Sequence, residues 1–287
     1  MKIPERLQPL LDEGLIDAVQ RQLMSGKEAQ VYVVRRGDDT LCAKVYKAAN
    51  QRSFRQAVDY TENRKTKNSR QARAMAKGTK FGREAMEAAW QSHEVDALYR
   101  LAAAGVRVPK PFNFHEGVLL MELVCNADGD AAPRLNDVQL SAEQARDHHH
   151  SLLGEVVRML CAGLIHGDLS EFNILLAADG PVIIDLPQAV DAAGNNHAQA
   201  MLERDVNNLR QYFGQFAPEL LASQFGREIW QLYERGLLTT DVALTGRAKR
   251  DQRPVDLGGV LREIDAARDE DTARRERQAG IHPHSPR

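Results

Sequence analysis

The run His166-Gly167-Asp168-Leu169-Ser170-Glu171-Phe172-Asn173, with Ile183-Ile184-Asp185 downstream, constrains this chain more than any other stretch. Between them, Ile174-Leu175-Leu176 and Val182-Ile183-Ile184 flank Asp179-Gly180, the pattern of a short hairpin. Loop and hairpin together bring three oxygen-bearing side chains toward one point. Phosphoryl transfer needs such a set. One carboxylate must receive or orient the attacking hydroxyl, while an amide and a second carboxylate supply the hard oxygen ligands that magnesium prefers. Asp168, Asn173 and Asp185 fit those roles in that order. Each residue alone is common in turns and at strand ends, so the weight rests on the ordered set.

Around that centre the chain reads as two lobes. Residues 4–19 read as a short helix. Gln30-Val31-Tyr32-Val33-Val34 and Leu41-Cys42-Ala43-Lys44-Val45-Tyr46 have the β-branched and aromatic content of strands, with Arg36-Gly37-Asp38-Asp39 as their turn. Residues 64–83, opening at Arg64 and closing at Arg83, hold eight basic side chains and no acidic one, which favours a mobile segment. Trp90, Val95, Leu98, Tyr99 and Leu101 fall at helical spacing and stop at Gly105, so one long helix with a glycine cap is predicted. Pro109 and Pro111 break that pattern, and residues 112–114 and 118–124 around Glu116-Gly117 read as a second strand pair. Helical periodicity dominates beyond Ser141. The expected class is α+β. Residues 1–19 form an N-terminal helical segment, 20–125 a small β-rich lobe with a basic flexible loop at 61–84, 126–264 a mainly helical lobe, and 265–287 a charged, partly disordered tail.

Two further signals belong to the same chemistry. Ser25-Gly26-Lys27-Glu28-Ala29, read as a turn between strands, offers a close backbone approach at glycine with a hydroxyl and an ammonium beside it. It is not a Walker A loop, because Glu28 follows Lys27 and a strand stands where a helix should. Lys44 lies mid-strand among apolar neighbours, an expensive place for an ammonium unless it meets a phosphate and a carboxylate. Glu94, in the long helix, is its natural partner.

These motifs resemble those of the RIO family of atypical serine/threonine protein kinases. Ser25 to Ala29 with Val31-Tyr32 is similar to the family's phosphate-binding loop, and His166 to Asn173 to its catalytic loop. Ile184-Asp185-Leu186-Pro187-Gln188 is similar to the metal-binding segment that replaces Asp-Phe-Gly. Asn196-His197-Ala198 and Leu202 to Asn208 resemble the helix after that segment, where Asp205 is expected to brace the catalytic loop's backbone. The resemblance implies a bilobal protein-kinase-like fold without a classical activation loop, and an ATP-dependent serine/threonine kinase that uses Mg2+ or Mn2+ and acts on a protein substrate or on itself. By it, Asp168 is the catalytic aspartate, Lys44 contacts the α and β phosphates and pairs with Glu94, and Ser25, Gly26 and Lys27 cover the phosphates. Met121 to Val124 would meet adenine, with Glu122 and Val124 offering backbone hydrogen bonds, and Asn173 and Asp185 would hold the metal. In relatives the residue matching Asp185 can accept a phosphoryl group, so an ATPase cycle through an aspartyl-phosphate is a second implied chemistry. This chain departs from the pattern in two places. Met24-Ser25 stands where many relatives carry Ser-Thr, and the stretch before residue 20 leaves no room for the winged-helix domain of one subfamily.

No apolar run approaches bilayer-spanning length, the first residues lack a secretory pattern, and Cys42, Cys125 and Cys161 are widely separated, so a reducing cytoplasm and no membrane are expected. The formal net charge of −2 leaves any attraction to nucleic acid to a local patch. Residues 64–83 are such a patch. They either touch RNA of a ribosomal particle, as the family's link to small-subunit maturation implies, or form a solvated loop. His148, His149 and His150 are consecutive and cannot converge on one ion from a helix, so they read as a solvated face, while Cys42 and Cys161 read as packing residues. Two other functions compete: an assembly factor whose nucleotide state switches its grip on the small ribosomal subunit, and a small-molecule kinase of the aminoglycoside phosphotransferase type. Pro187-Gln188 and Ser25 to Ala29 argue against the latter.

Overall fold

β-branched runs joined by left-handed turns build the small lobe of the computed structural model, which describes residues 3–26, 29–47 and 93–248. Five antiparallel strands, β1 (Ala18–Ser25), β2 (Ala29–Arg36), β3 (Asp39–Tyr46), β4 (Pro111–His115) and β5 (Val118–Glu122), lie in the order β1-β2-β3-β5-β4. Glu116 (φ 46°) and Gly117 (φ 78°) turn β4 into β5 where the sequence placed the turn. Two successive positive φ angles match the strand twist of a tight hairpin. Side chains alternate between the sheet faces. Ala43, Val45, Val118 and Leu120 therefore join Leu7, Leu10 and Ile16 on one face. On the other face, Tyr46 and Leu119 join Val95, Leu98 and Leu101 of a helix over residues 93–103. Lys44 alternates with Ala43 and Val45 and so points toward that helix.

The expected helix over residues 4–19 is much shorter. A 3-10 turn, Glu5–Leu7, leads into α1 (Gln8–Asp12), and the chain reverses at Gly14 (φ 69°). The chain then enters β1, an edge strand that the sequence reading missed. Only its first two residues are even partly covered, so the apolar alternation that marks a half-buried strand is absent. The long helix, α2, is described over residues 93–103 and ends before Gly105 (φ 76°), as predicted. Lys27, Trp90, the basic residues 64–83 and the tail over 265–287 lie outside the described residues.

The larger lobe is mainly helical. Ser141 caps α3 (Ala142–Cys161): its hydroxyl accepts from the Gln144 N–H at 3.1 Å, and the Gln144 side chain accepts from the Ser141 N–H at 2.9 Å. α3, α4 (Ala198–Phe213) and α5 (Phe225–Glu234) bury Leu152, Leu153, Leu209, Phe213 and Ile229 in the same core as α2. Full burial of such a side chain contributes about 1.5–3 kcal/mol. Four short strands complete the lobe, β6 (Leu164–Ile165), β7 (Ile174–Ala177), β8 (Gly180–Ile183) and β9 (Val190–Asp191), with β6 paired to β9 and β7 to β8. The result is the expected α+β arrangement. No helix among the described residues is long and apolar enough to cross a membrane.

Two packing expectations need correction. His149 is 2% exposed and sits against the rings of Phe213 and Phe225, with centroids 5.6 and 5.7 Å away. Its spacing from Ala145, Leu152, Leu153 and Val156 puts it on the buried stripe of α3. Cys161 is exposed at the end of that helix, whereas Cys42 is buried as expected.

Candidate active site

The alternation of β3 carries Lys44 toward α2, and there it meets Glu94 across 50 positions of sequence. The ammonium also reaches Asp185 Oδ1 at 3.3 Å and lies 5.3 Å from the centroid of the Tyr46 ring. Glu94 is 4% exposed. Burial pulls the Lys44 pKa down, but the Glu94 carboxylate, Tyr46 and Asp185 outweigh it, and the net displacement is upward. The ammonium is therefore held charged beside two carboxylates.

The candidate catalytic loop runs from β6 to β7 and is stitched to the segment after β8. The Asn173 side chain donates to the Asp168 carbonyl at 2.8 Å, and the Ile184 N–H donates to the Asn173 carbonyl at 3.0 Å. His166 is 2% exposed. Its Nε2–H donates to the Ile184 carbonyl at 3.1 Å, while Nδ1 accepts from the Asp168 N–H at 3.3 Å. These bonds draw Asp168, Asn173 and the residue before Asp185 into one cluster. Asp185 adopts a left-handed backbone (φ 65°), uncommon for a residue with a Cβ. α4 braces the loop from below. Asp205 accepts from the Gly167 N–H at 2.8 Å and the Leu169 N–H at 3.1 Å, Asn208 donates to the Leu169 carbonyl at 2.9 Å, and Arg204 donates to the Gly167 carbonyl. Gly167 (φ 80°) has no room for a side chain, since a Cβ would stand 2.5 Å from the Gln188 carbonyl oxygen.

A family model described as the RIO domain matches residues 30–225 of this sequence. The chain belongs to the RIO family. Among its relatives, the RIO-type serine/threonine-protein kinase Rio1 of Haloferax volcanii is 37% identical over 206 residues, an alignment covering 71% of this chain and 66% of that protein. The serine/threonine-protein kinases RIO1 of Caenorhabditis elegans and of Homo sapiens are 31% and 30% identical, over 74% and 71% of this chain. The chain spans 40% and 34% of those two, less than two thirds of any of the three relatives.

Within this RIO domain the remaining expected residues are placed unevenly. Ser25 is the exposed last residue of β1, paired with Gln30. The Gly26 N–H donates to the Ala29 carbonyl at 2.9 Å and the Gly26 carbonyl accepts from Lys47 at 2.6 Å, so the turn closes on itself and that N–H is already engaged. Met121 and Glu122 end β5, opposite Cys42 and Leu41. The Glu122 N–H is taken by the Lys110 carbonyl at 2.8 Å, and the Val124 carbonyl accepts from the Ala132 N–H at 2.9 Å. One backbone group of each of the two residues expected to meet adenine, Glu122 and Val124, is thus used within the fold. Sequence reasoning also missed Arg107, whose guanidinium grips the Glu122 carboxylate by two bonds of 3.0 and 2.9 Å. Nothing in the local sequence around Arg107 signals a partner 15 residues away.

Proposed function

We propose that this chain transfers the γ-phosphoryl group of ATP to a serine or threonine hydroxyl, on a protein substrate or on itself. The observation that carries the proposal is the Lys44 ammonium held between Glu94 and Asp185, beside a loop whose hydrogen bonds gather Asp168 and Asn173 to the same place. The printed names of the relatives support the same reading. Asp168 is exposed and receives or orients the incoming hydroxyl, while Lys44 neutralises phosphate charge. The Glu122 carbonyl and the Val124 N–H are the groups that read adenine in this proposal. The Gly26 turn contributes through Ser25 and Lys27 more than through the Gly26 amide.

The donor set suits a hard divalent cation such as Mg2+ or Mn2+. Asn173 spends its amide nitrogen on the Asp168 carbonyl, which leaves its oxygen as a ligand beside the Asp185 carboxylate. Among the described residues no three His, Cys, Asp or Glu side chains gather to hold a metal alone, so nucleotide phosphates and water would complete the coordination. Such an ion, when bound, offsets charge on the phosphates. The three cysteines are free thiols, consistent with a reducing cytoplasm as the place of action.

Asp168→Ala should abolish transfer from γ-labelled ATP while leaving ATP binding within a few-fold, and autophosphorylation retained in that variant would refute the assignment. The Asp185 carboxylate is 46% exposed and is the group that would carry an aspartyl-phosphate. Label that is stable in acid marks a phosphoserine or phosphothreonine, whereas label released by hydroxylamine marks the acyl phosphate and an ATPase cycle.

A further inference from the structure

The turn after α2 carries a charged cluster that phosphoryl transfer does not use. Arg107 forks onto Glu122, Nη1 to Oε2 at 3.0 Å and Nη2 to Oε1 at 2.9 Å, and its Nε reaches Asp179 Oδ2 at 3.3 Å. Its backbone N–H donates to Glu155 Oε2 at 2.9 Å, and its carbonyl accepts from the Ile183 N–H at 2.9 Å. Glu155 is itself buried and held by Arg158 at 2.8 Å. One residue therefore touches the end of β5, the β7–β8 turn, α3, and β8 two residues before Asp185.

The consequence falls on Glu122. Its carboxylate is gripped by Arg107 and also accepts from the Lys110 N–H at 3.1 Å, while its own N–H donates to the Lys110 carbonyl. With side chain and N–H both pinned, the Cα of Glu122 is held, and the next peptide, which carries the Glu122 carbonyl, is strung between that Cα and Val124, whose carbonyl accepts from the Ala132 N–H at 2.9 Å, so the Glu122 carbonyl keeps one direction. A carbonyl in a held direction accepts from the exocyclic amino group of adenine and opposes the carbonyl that guanine presents at the same position. If the peptide can turn, that discrimination fades, because a polar site selects by leaving the wrong partner unpaired.

We infer that Arg107 is a positioning residue for the nucleotide base, which sets the preference for adenine over guanine by clamping Glu122 to the β7–β8 turn. This rests on the reading of Glu122 and Val124 as the adenine contact. A planar fork is needed for the grip, and lysine cannot supply it.

The test is calorimetric binding of ATP, GTP and tripolyphosphate to the full chain and to Arg107→Ala, Arg107→Lys and Glu122→Gln, each with a melting curve. The wild type should prefer ATP over GTP. In Arg107→Ala and Glu122→Gln the ATP-to-GTP preference should shrink by roughly tenfold, the scale of one hydrogen bond, while tripolyphosphate affinity stays unchanged. Arg107→Lys should retain part of the preference and is the informative variant if Arg107→Ala does not fold. A preference unchanged within twofold in Arg107→Lys and Glu122→Gln, whatever the melting temperature does, overturns the inference. A wild type that binds tripolyphosphate as tightly as ATP defeats the adenine reading itself, and the inference falls with it.

Discussion

Lys44 is where a single residue carries the most electrostatic consequence. Its side chain is 14% exposed and that of Glu94 5%, so each charge depends on the other. The upward displacement of the Lys44 pKa means that the ammonium is charged at neutral pH, and that on the alkaline side its contribution to stability is lost as rising pH strips that proton. Lys44→Met would strand a buried carboxylate, at a cost of roughly 3–5 kcal/mol, read as a lower midpoint in chemical unfolding together with loss of transfer. His149 gives the opposite pH signature. Burial, and to a lesser degree the neighbouring His150, pushes its pKa down to about 4 from 6.5. The unfolded chain takes up a proton below about pH 6.5 while the folded one does not, so stability is complete above that pH and declines as pH falls toward 4. By the lower limit the loss approaches about 3 kcal/mol. Unfolding curves between pH 7 and 4.5 should show this decline in the wild type and a shallower one in His149→Phe, and parallel curves would exclude His149 as the cause.

Among the elements, α4 does most to shape the candidate site, since Arg204, Asp205 and Asn208 all bond the backbone on either side of Asp168. Burial raises the Asp205 pKa, and His166, the two loop N–H groups and Arg204 oppose that rise. Asp205→Ala would leave two inward N–H groups without an acceptor, about 2–6 kcal/mol at 1–3 kcal/mol each. The expected outcome is a lower melting temperature and at least a tenfold slower transfer, and a variant that kept full activity would show that the loop holds its shape unaided. α2 is latched in a comparable way. His93 donates to the Ala189 carbonyl, and Arg100, on the same face two turns later, donates to the Ala162 carbonyl and pairs with Asp191 at 3.6 Å. How far an element was legible depended on whether its cause was local. The Glu116-Gly117 hairpin, the Ser141 cap and the Gly105 stop were readable because turn and cap chemistry lies within a few residues. The edge strand β1 was not, because its pairing with β2 is backbone to backbone and leaves most of its side chains in solvent.

Across the whole molecule, one apolar cluster runs from α2 through α3 and α4 to α5, while a second lies between β2, β3 and β5 and the N-terminal residues Leu7, Leu10 and Ile16. Polar links join the lobes over this core, from Lys44 to Asp185 and from Arg107 to Asp179. A ligand that engages both lobes should stabilise them together. Under the proposed function, a non-hydrolysable ATP analogue at one hundred times its Kd should add about 2.7 kcal/mol to the unfolding free energy, and a melting temperature indifferent to the analogue would count against a nucleotide site. Residue order alone was enough to name the chemical groups the chain carries, their succession, the lobes and the local punctuation: Asp168, Asn173 and Asp185, and the Lys44 and Glu94 pair; the brace at Asp205 came through the family resemblance. It took the folded chain to reveal that Arg107 grips Glu122, that the Glu122 N–H is already spent, that His149 is core, and that the N-terminal helix stops early. The physical reason is range. Turn and cap preferences act over a few residues, whereas a guanidinium chooses among carboxylates 15 and 72 positions away only after the chain path has placed them within reach.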